Sequence, residues 1–215
     1  MLAKSQHLET LVKKRSIALG EGLIGSSAAI GSGIIIEDAE LDARVPTYTE
    51  AFLKIKTLLI IGGSLGAKSI NEAINKYINE FEKNELQLIW QTGKPYASTA
   101  QQTAKGRANT YTSDFITNME YAYAAADLII SRSGAMAIAE ICVAKKPTIF
   151  VPYPFAAEDH QTVNAENLVS KSAALTINDN EVLDKLVSSI IALSNNVEQQ
   201  HTLKQNIAKL AIINA

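Results

Sequence analysis

From residue 57 onward the chain alternates short apolar runs with longer stretches of helical periodicity. The runs fall at 57–62, 86–91, 109–112, 127–131, 147–151 and 173–177, and the helical stretches at about 67–82, 119–126, 134–145, 161–171, 180–194 and 197–213. A strand buried on one face alternates apolar with polar residues, but Thr57-Leu-Leu-Ile-Ile61 and Asp127-Leu-Ile-Ile-Ser131 do not alternate. Near-continuous runs belong to strands covered on both faces, and parallel strands need a crossover of helix length between them. The pattern therefore predicts an α/β fold, a Rossmann-like parallel sheet with helices on both faces. Such sheets bind ligands beyond the carboxyl ends of their strands. The residues that follow each run are thus the candidates for chemistry.

Residues 1–56 read differently. Met1–Lys14 has helical spacing at Leu2, Leu8 and Leu11, and then Ile24-Gly25, Ile30-Gly31 and Ile36-Glu37 recur every six residues. Hexad repeats suggest a β-helix, but so few make about one coil, which cannot bury its own face. The expectation is irregular structure packed on the main domain. This divides the chain into an unassigned segment, 1–56, and an α/β domain, 57–215.

Composition removes several classes. Hydrophobic residues make up 47% and charged residues 20% of the 215, enough apolar material for a large core. The net charge of −2 gives no reason to expect nucleic acid as a partner. A single cysteine, Cys142, makes no intrachain disulfide and is compatible with a reducing cytosol. No apolar run approaches the ~18–20 residues of a membrane span, and the N-terminus lacks the basic-then-apolar pattern of a secretion signal. His7, His160 and His201 stand far apart, so no metal site is expected.

The first run leads into Gly62-Gly63-Ser64-Leu65-Gly66 and then a helical stretch. Backbone N–H groups and the positive end of a helix dipole meet there, which suits an anion. A P-loop would place Lys directly after its last glycine, whereas Ala67 separates Gly66 from Lys68. A dinucleotide site would end the second strand in an acid, whereas Leu86-Gln-Leu-Ile-Trp-Gln91 ends in neutral residues.

After the fourth run comes Arg132-Ser133-Gly134 and a helix beginning near Ala135. Opened by Ser133 or Gly134, it leaves the N–H groups of Ala135, Met136 and Ala137 free, with small residues that let a phosphate approach. Glu140 lies one to two turns in, where a carboxylate can accept from both hydroxyls of a ribose; a surface ion pair is the plain alternative. After the fifth run, Val151-Pro-Tyr-Pro154 fixes an extended exit, and Glu158 or Asp159 is expected to cap a helix presenting His160, Gln161 and Asn164. Gln161 and Asn164 share a face and carry amides suited to sugar hydroxyls. His160 reads as a capping or solvated residue. At a third strand end, Phe115-Ile116 precedes a cap at Thr117 or Asn118 and could pack on a flat ring, or simply staple the helix. Tyr121–Ala126 reads as helix packing.

Together these pieces resemble the C-terminal, donor-binding domain of the MurG glycosyltransferases, which have the GT-B fold. The resemblance rests on Ile61-Gly-Gly-Ser-Leu-Gly-Ala67, Trp90-Gln-Thr-Gly-Lys94, Phe115-Ile116, Ala126-Asp127, Ser131-Arg-Ser-Gly-Ala135 through Glu140, Val151-Pro-Tyr-Pro154 and Asp159-His-Gln-Thr-Val-Asn-Ala165, in the family's order across 57–211. It implies transfer of N-acetylglucosamine from UDP-GlcNAc to the lipid-linked muramoyl-pentapeptide that peptidoglycan synthesis uses, with inversion and without metal or other cofactor. It also implies a cytoplasmic protein that, as the full enzyme, works at the inner face of the bacterial membrane. Carried over by position, Ser64 with the turn at Gly63 and Gly66 would meet the diphosphate, and Ile116 would hold uracil. Gly134 and Ala135, Met136, Ala137, Ile138 and Ala139 would supply further amides, Glu140 would take the ribose, and Gln161, with His160 and Asn164 beside it, the sugar. The family's acceptor site and catalytic base belong to an N-terminal Rossmann-like domain whose motifs are not evident in residues 1–56, so no catalytic residue is expected here. Other UDP-sugar transferases on the same scaffold, and a non-catalytic nucleotide-sugar-binding module that needs a partner chain, are the alternatives.

Overall fold

Residues 56–63 and 65–211 are described by the computed structural model; the expectations for the N-terminal segment and for Ser64 lie outside the described residues. Among the described residues six strands run parallel: β1 (Lys56–Ile61), β2 (Leu86–Gln91), β3 (Thr110–Ser113), β4 (Leu128–Ser131), β5 (Thr148–Phe150) and β6 (Leu175–Thr176). Their order in the sheet is β3-β2-β1-β4-β5-β6. Among the described residues eight α-helices connect and cover them: α1 (Lys68–Lys76), α2 (Ile78–Lys83), α3 (Ala97–Ala104), α4 (Met119–Ala125), α5 (Ala135–Ala144), α6 (His160–Val169), α7 (Val182–Asn195) and α8 (Val197–Ala208).

The two-residue period of a strand explains why its sequence is apolar throughout. Leu58 and Ile60 enter one core with Ile70, Ile74, Phe81, Leu186 and Ile190. Leu59 and Ile61 enter a second, with Ile141, Ala165, Leu168 and Ile207. Helices α1, α2, α3 and α7 therefore cover one face, and α4, α5 and α6 the other. Helix α8 serves both, through Leu203 and Ile207.

The chain order reverses between β1 and β4, which pair with Ile61 opposite Ser131. Helix α1 leaves β1 toward one face and α5 leaves β4 toward the other, so a crevice opens between their first turns. This is the switch point at which open α/β sheets bind ligands. At the opposite end of the same pair, the Thr57 N–H donates to the Asp127 carboxylate and the Asp127 N–H to the Thr57 carbonyl, each at 2.8 Å.

The turn after β1 lies backbone to backbone against the turn after β2. A Cβ on Gly66 (φ +78°) would stand 2.0 Å from the Thr92 oxygen, and one on Gly93 (φ +73°) 2.4 Å from the Leu65 oxygen. Both positions lie in the left-handed region that disfavours any other residue. Beneath them the Trp90 indole donates to Asn71 at 2.8 Å, and Asn71 donates to the Thr92 carbonyl at 2.8 Å.

Three elements depart from expectation. The helix expected over 67–82 breaks at Tyr77 (φ −109°, ψ 23°), which ends α1 and starts α2; neither Pro nor Gly marks the break. Helix α3 was not foreseen, since Ala-Ser-Thr-Ala-Gln-Gln-Thr-Ala carries no apolar stripe and buries only Ala100. The run at 173–177 shrinks to a two-residue strand: Ala173 and Ala174 are buried for packing, but only Leu175 and Thr176 join the ladder. Among the described residues no helix is long and apolar enough to cross a membrane.

Candidate functional site

Two helix openings border the crevice. On α1 the first backbone N–H to bond back is that of Asn71, to the Ala67 carbonyl at 2.9 Å. On α5 it is that of Ile138, to Gly134 at 3.0 Å. The N–H groups of Lys68, Ser69 and Ile70, and of Ala135, Met136 and Ala137, are thus without helical partners, as geometry requires of any first turn. The α5 opening is Gly134, extended at φ −65° and ψ 148°; no side chain caps it. Ser133 instead turns its hydroxyl to the Gln161 carbonyl at 2.7 Å.

Arg132 ties the two openings together. Its guanidinium donates to the Ser69 hydroxyl on α1 at 3.1 Å, to Asp179 at 2.5 Å, and to the carbonyls of Val151 and Pro152 at 3.2 and 3.0 Å. Ser69 in turn donates to Asp179 at 2.5 Å, and the guanidinium carbon lies 5.5 Å from the centre of the Tyr153 ring. One cation thereby holds the loops after β1, β4, β5 and β6 in register, with its charge answered by one carboxylate.

A second tie crosses on the β2 side. Gln91, 2% exposed, donates to the Gly63 carbonyl at 3.3 Å and accepts from the Ile116 N–H at 2.9 Å. It joins the glycine turn to the loop at Phe115-Ile116. That loop's Ile116 N–H is therefore engaged already, and a base would meet the Ile116 side chain or carbonyl and the exposed ring of Phe115. Asn118 stands at the expected cap position, but its side chain makes no capping hydrogen bond.

Glu140 accepts from the Tyr123 hydroxyl at 2.9 Å. Burial first, and then the Glu140 carboxylate, push the Tyr123 phenol well above its ordinary range. Tyr123 is thus more than packing, contrary to the reading of Tyr121–Ala126 as helix packing alone.

On α6, Gln161 accepts from the Tyr153 N–H at 3.0 Å, which orients the amide and leaves its NH₂ near Gly134, 4.0 Å from where a Cβ there would be. Asn164 donates to the Ser133 carbonyl at 3.2 Å, so one of its donors supports the α5 opening. His160 holds the Ala157 carbonyl through Nδ1 at 2.7 Å, a local cap on an exposed turn. Asp159 occupies the helix-cap position but caps no backbone N–H; it accepts from the Thr162 hydroxyl at 2.6 Å. Gly63, Gly66 and Met136 lie at the two openings, whereas Ile138 and Ala139, expected to supply amides, lie past the first turn, where the helix's own bonds begin with the Ile138 N–H on the Gly134 carbonyl. Sequence reasoning missed Arg132, Gln91 and Tyr123, whose partners lie far along the chain. Among the described residues no group of three or more His, Cys, Asp or Glu side chains is gathered.

The site thus consists of two helix openings at the sheet's switch point, a carboxylate on the second helix and an amide beside it, and comparison with known proteins gives the domain its class. Residues 57–213 match the glycosyltransferase family 28 C-terminal domain, and the chain belongs to that family. The UDP-N-acetylglucosamine--N-acetylmuramyl-(pentapeptide) pyrophosphoryl-undecaprenol N-acetylglucosamine transferase of Parabacteroides distasonis is 46% identical over 158 residues, 73% of this chain and 43% of the relative. The protein of that name from Porphyromonas gingivalis is 44% identical over 156 residues, 72% of this chain and 41% of the relative. The crystal structure of Acinetobacter baumannii MurG superposes with a TM-score of 0.63 at 33% identity, over 74% of this chain and 46% of that one. CalG4, the calicheamicin glycosyltransferase, shares the fold with a TM-score of 0.58 at 13% identity, over 79% of this chain and 44% of that one. The chain spans less than half the length of the curated relatives named here. The resemblance to MurG read from the sequence holds.

Proposed function

We propose that this domain binds UDP-N-acetylglucosamine as the donor half of a transferase that moves N-acetylglucosamine onto a lipid-linked muramoyl-pentapeptide. The observation that carries the reading is the Arg132–Ser69 contact, which brings two amide-lined helix openings to one crevice at the sheet's switch point. The names of the relatives supply the sugar and the acceptor.

In this reading the diphosphate lies between the openings of α1 and α5, met by the turn at Gly63, Ser64 and Gly66 and by the amides of Ala135, Met136 and Ala137. Uracil rests at Ile116. Glu140 accepts from the ribose diol, and the Gln161 NH₂, oriented by Tyr153, donates to a sugar hydroxyl, with His160 and Asn164 fixing the loop around it. Displacement at the anomeric carbon with inversion leaves negative charge on the departing UDP. Preorganised N–H dipoles stabilise charge that develops in place, because they need no reorganisation at the moment of reaction. We assign that stabilisation to the two openings rather than to a metal or other cofactor. The acceptor and its base belong to residues outside this domain, and an undecaprenyl-linked acceptor sets the reaction at the cytoplasmic face of a membrane.

Calorimetric titration of UDP-GlcNAc, UDP and UDP-glucose into the chain tests the reading. UDP should bind, UDP-GlcNAc should bind better than UDP-glucose, and Glu140→Ala should weaken UDP by about 1.5–3 kcal/mol, the range for hydrogen bonds to a charged group. Gln161→Ala should weaken UDP-GlcNAc far more than UDP. Failure to bind UDP would refute the site, and a preference for UDP-glucose would move the sugar assignment.

A further inference from the structure

We propose that Tyr123 is a positioning residue that holds Glu140 for the ribose and so sets how strongly the site prefers a ribonucleotide to its 2′-deoxy counterpart. The inference rests on the donor-site reading and deepens it at one carboxylate. Tyr123 on α4 donates to Oε2 of Glu140 on α5 at 2.9 Å, and both border a cavity of about 920 Å³ with Met119, Ala135, Ala139 and Asn164. The Tyr123 ring packs on the second core, whereas Glu140 is exposed. A half-buried donor whose ring is packed on the core thus grips an exposed side chain that would otherwise be mobile.

An ionised carboxylate offers about four lone-pair sites. Tyr123 uses one, on Oε2, and Oε1 has no partner among the described residues. The remaining sites can accept from both hydroxyls of a vicinal diol. An unrestrained glutamate must give up rotamer freedom when it binds, and that loss is subtracted from affinity. Holding the carboxylate by one oxygen removes the loss beforehand, and the gain falls on ligands that use both hydroxyls. Because the phenol stays protonated across the working pH range, it serves as donor throughout.

The test compares UDP with 2′-deoxy-UDP, titrated calorimetrically into the wild type, Tyr123→Phe, Glu140→Ala and the double variant, with melting curves checking each fold. Tyr123→Phe keeps the ring and deletes only the hydroxyl. It should weaken UDP about 3- to 10-fold, the weight of one hydrogen bond, and 2′-deoxy-UDP less than about 2-fold. In the Glu140→Ala background the same change should leave the ratio of the two affinities unaltered, because the phenol acts through the carboxylate. Equal losses for both nucleotides, or no loss for UDP, would overturn the role of Tyr123 while leaving the donor site standing. If the wild type binds no UDP, the donor site falls and this inference with it.

Discussion

Replacing Arg132 by alanine should cost the domain about 3 kcal/mol of stability. The side chain is only 12% exposed and reaches one carboxylate, two carbonyls and one hydroxyl. Deleting one partner of a buried ion pair strands the other, typically at ~3–5 kcal/mol. Asp179 keeps 21% exposure and still accepts from Ser69, so water and the hydroxyl soften the loss toward the lower end. For a domain of this size that is a fall of roughly 6–12 °C in Tm. Trp90, the single tryptophan, is fully buried and reports unfolding by fluorescence in a urea titration. Arg132→Ala with Asp179→Ala should lie closer to wild type than Arg132→Ala alone, because no unpaired carboxylate remains. Arg132→Lys should fall between, since one ammonium cannot reach every acceptor the planar fork spans. A loss below about 1 kcal/mol, less than one buried hydrogen bond is commonly worth, would refute the tie across the crevice. So would a double variant as damaged as the single.

Gln91→Met should cost about 1–3 kcal/mol by leaving the Gly63 carbonyl and the Ile116 N–H without their shared partner. Hydrogen exchange at the Ile116 amide should quicken while the β2 amides keep their protection; unchanged exchange would contradict the bridge. Cys142 should react with a thiol reagent only through opening of the fold, because burial raises its pKa above the ordinary 9.0 and reduces the thiolate. The folded state then holds this proton more tightly than the unfolded one. Its contribution to stability is full below pH 9.0 and is lost as the pH rises through the raised folded value, so Cys142→Ala should flatten the alkaline decline in a pH series of melts.

The sheet was legible because its strands are covered on both faces, and Leu58 to Ile61 announce that with an unbroken apolar run. Helix α3 was not, because a short polar helix that buries one alanine leaves no periodic trace. The two openings were readable from Gly62, Gly63, Gly66 and Gly134, since backbone needs show directly as residue type. The ties between them were hidden for the opposite reason. Arg132 and Asp179 lie 47 residues apart, Gln91 and Gly63 28, and Tyr123 and Glu140 17. Arginine, glutamine and tyrosine are common enough that position alone does not reveal a partner. Helix caps misled as well: Asp159 stands where a cap belongs but answers a hydroxyl.

The central place of β1 also governs how the domain can assemble. Its neighbour β2 follows in the chain after one helical pair, but β4 emerges only after β2, β3 and four helices are complete. A growing polypeptide can therefore zip one wing of the sheet while the other flank of Leu58–Ile61 still offers unpaired amides and carbonyls. An open edge of that kind invites association with other chains. The reciprocal bonds of Thr57 and Asp127 are the latch at which the second wing begins to close it, so any fragment that stops short of Asp127 keeps an adhesive flank.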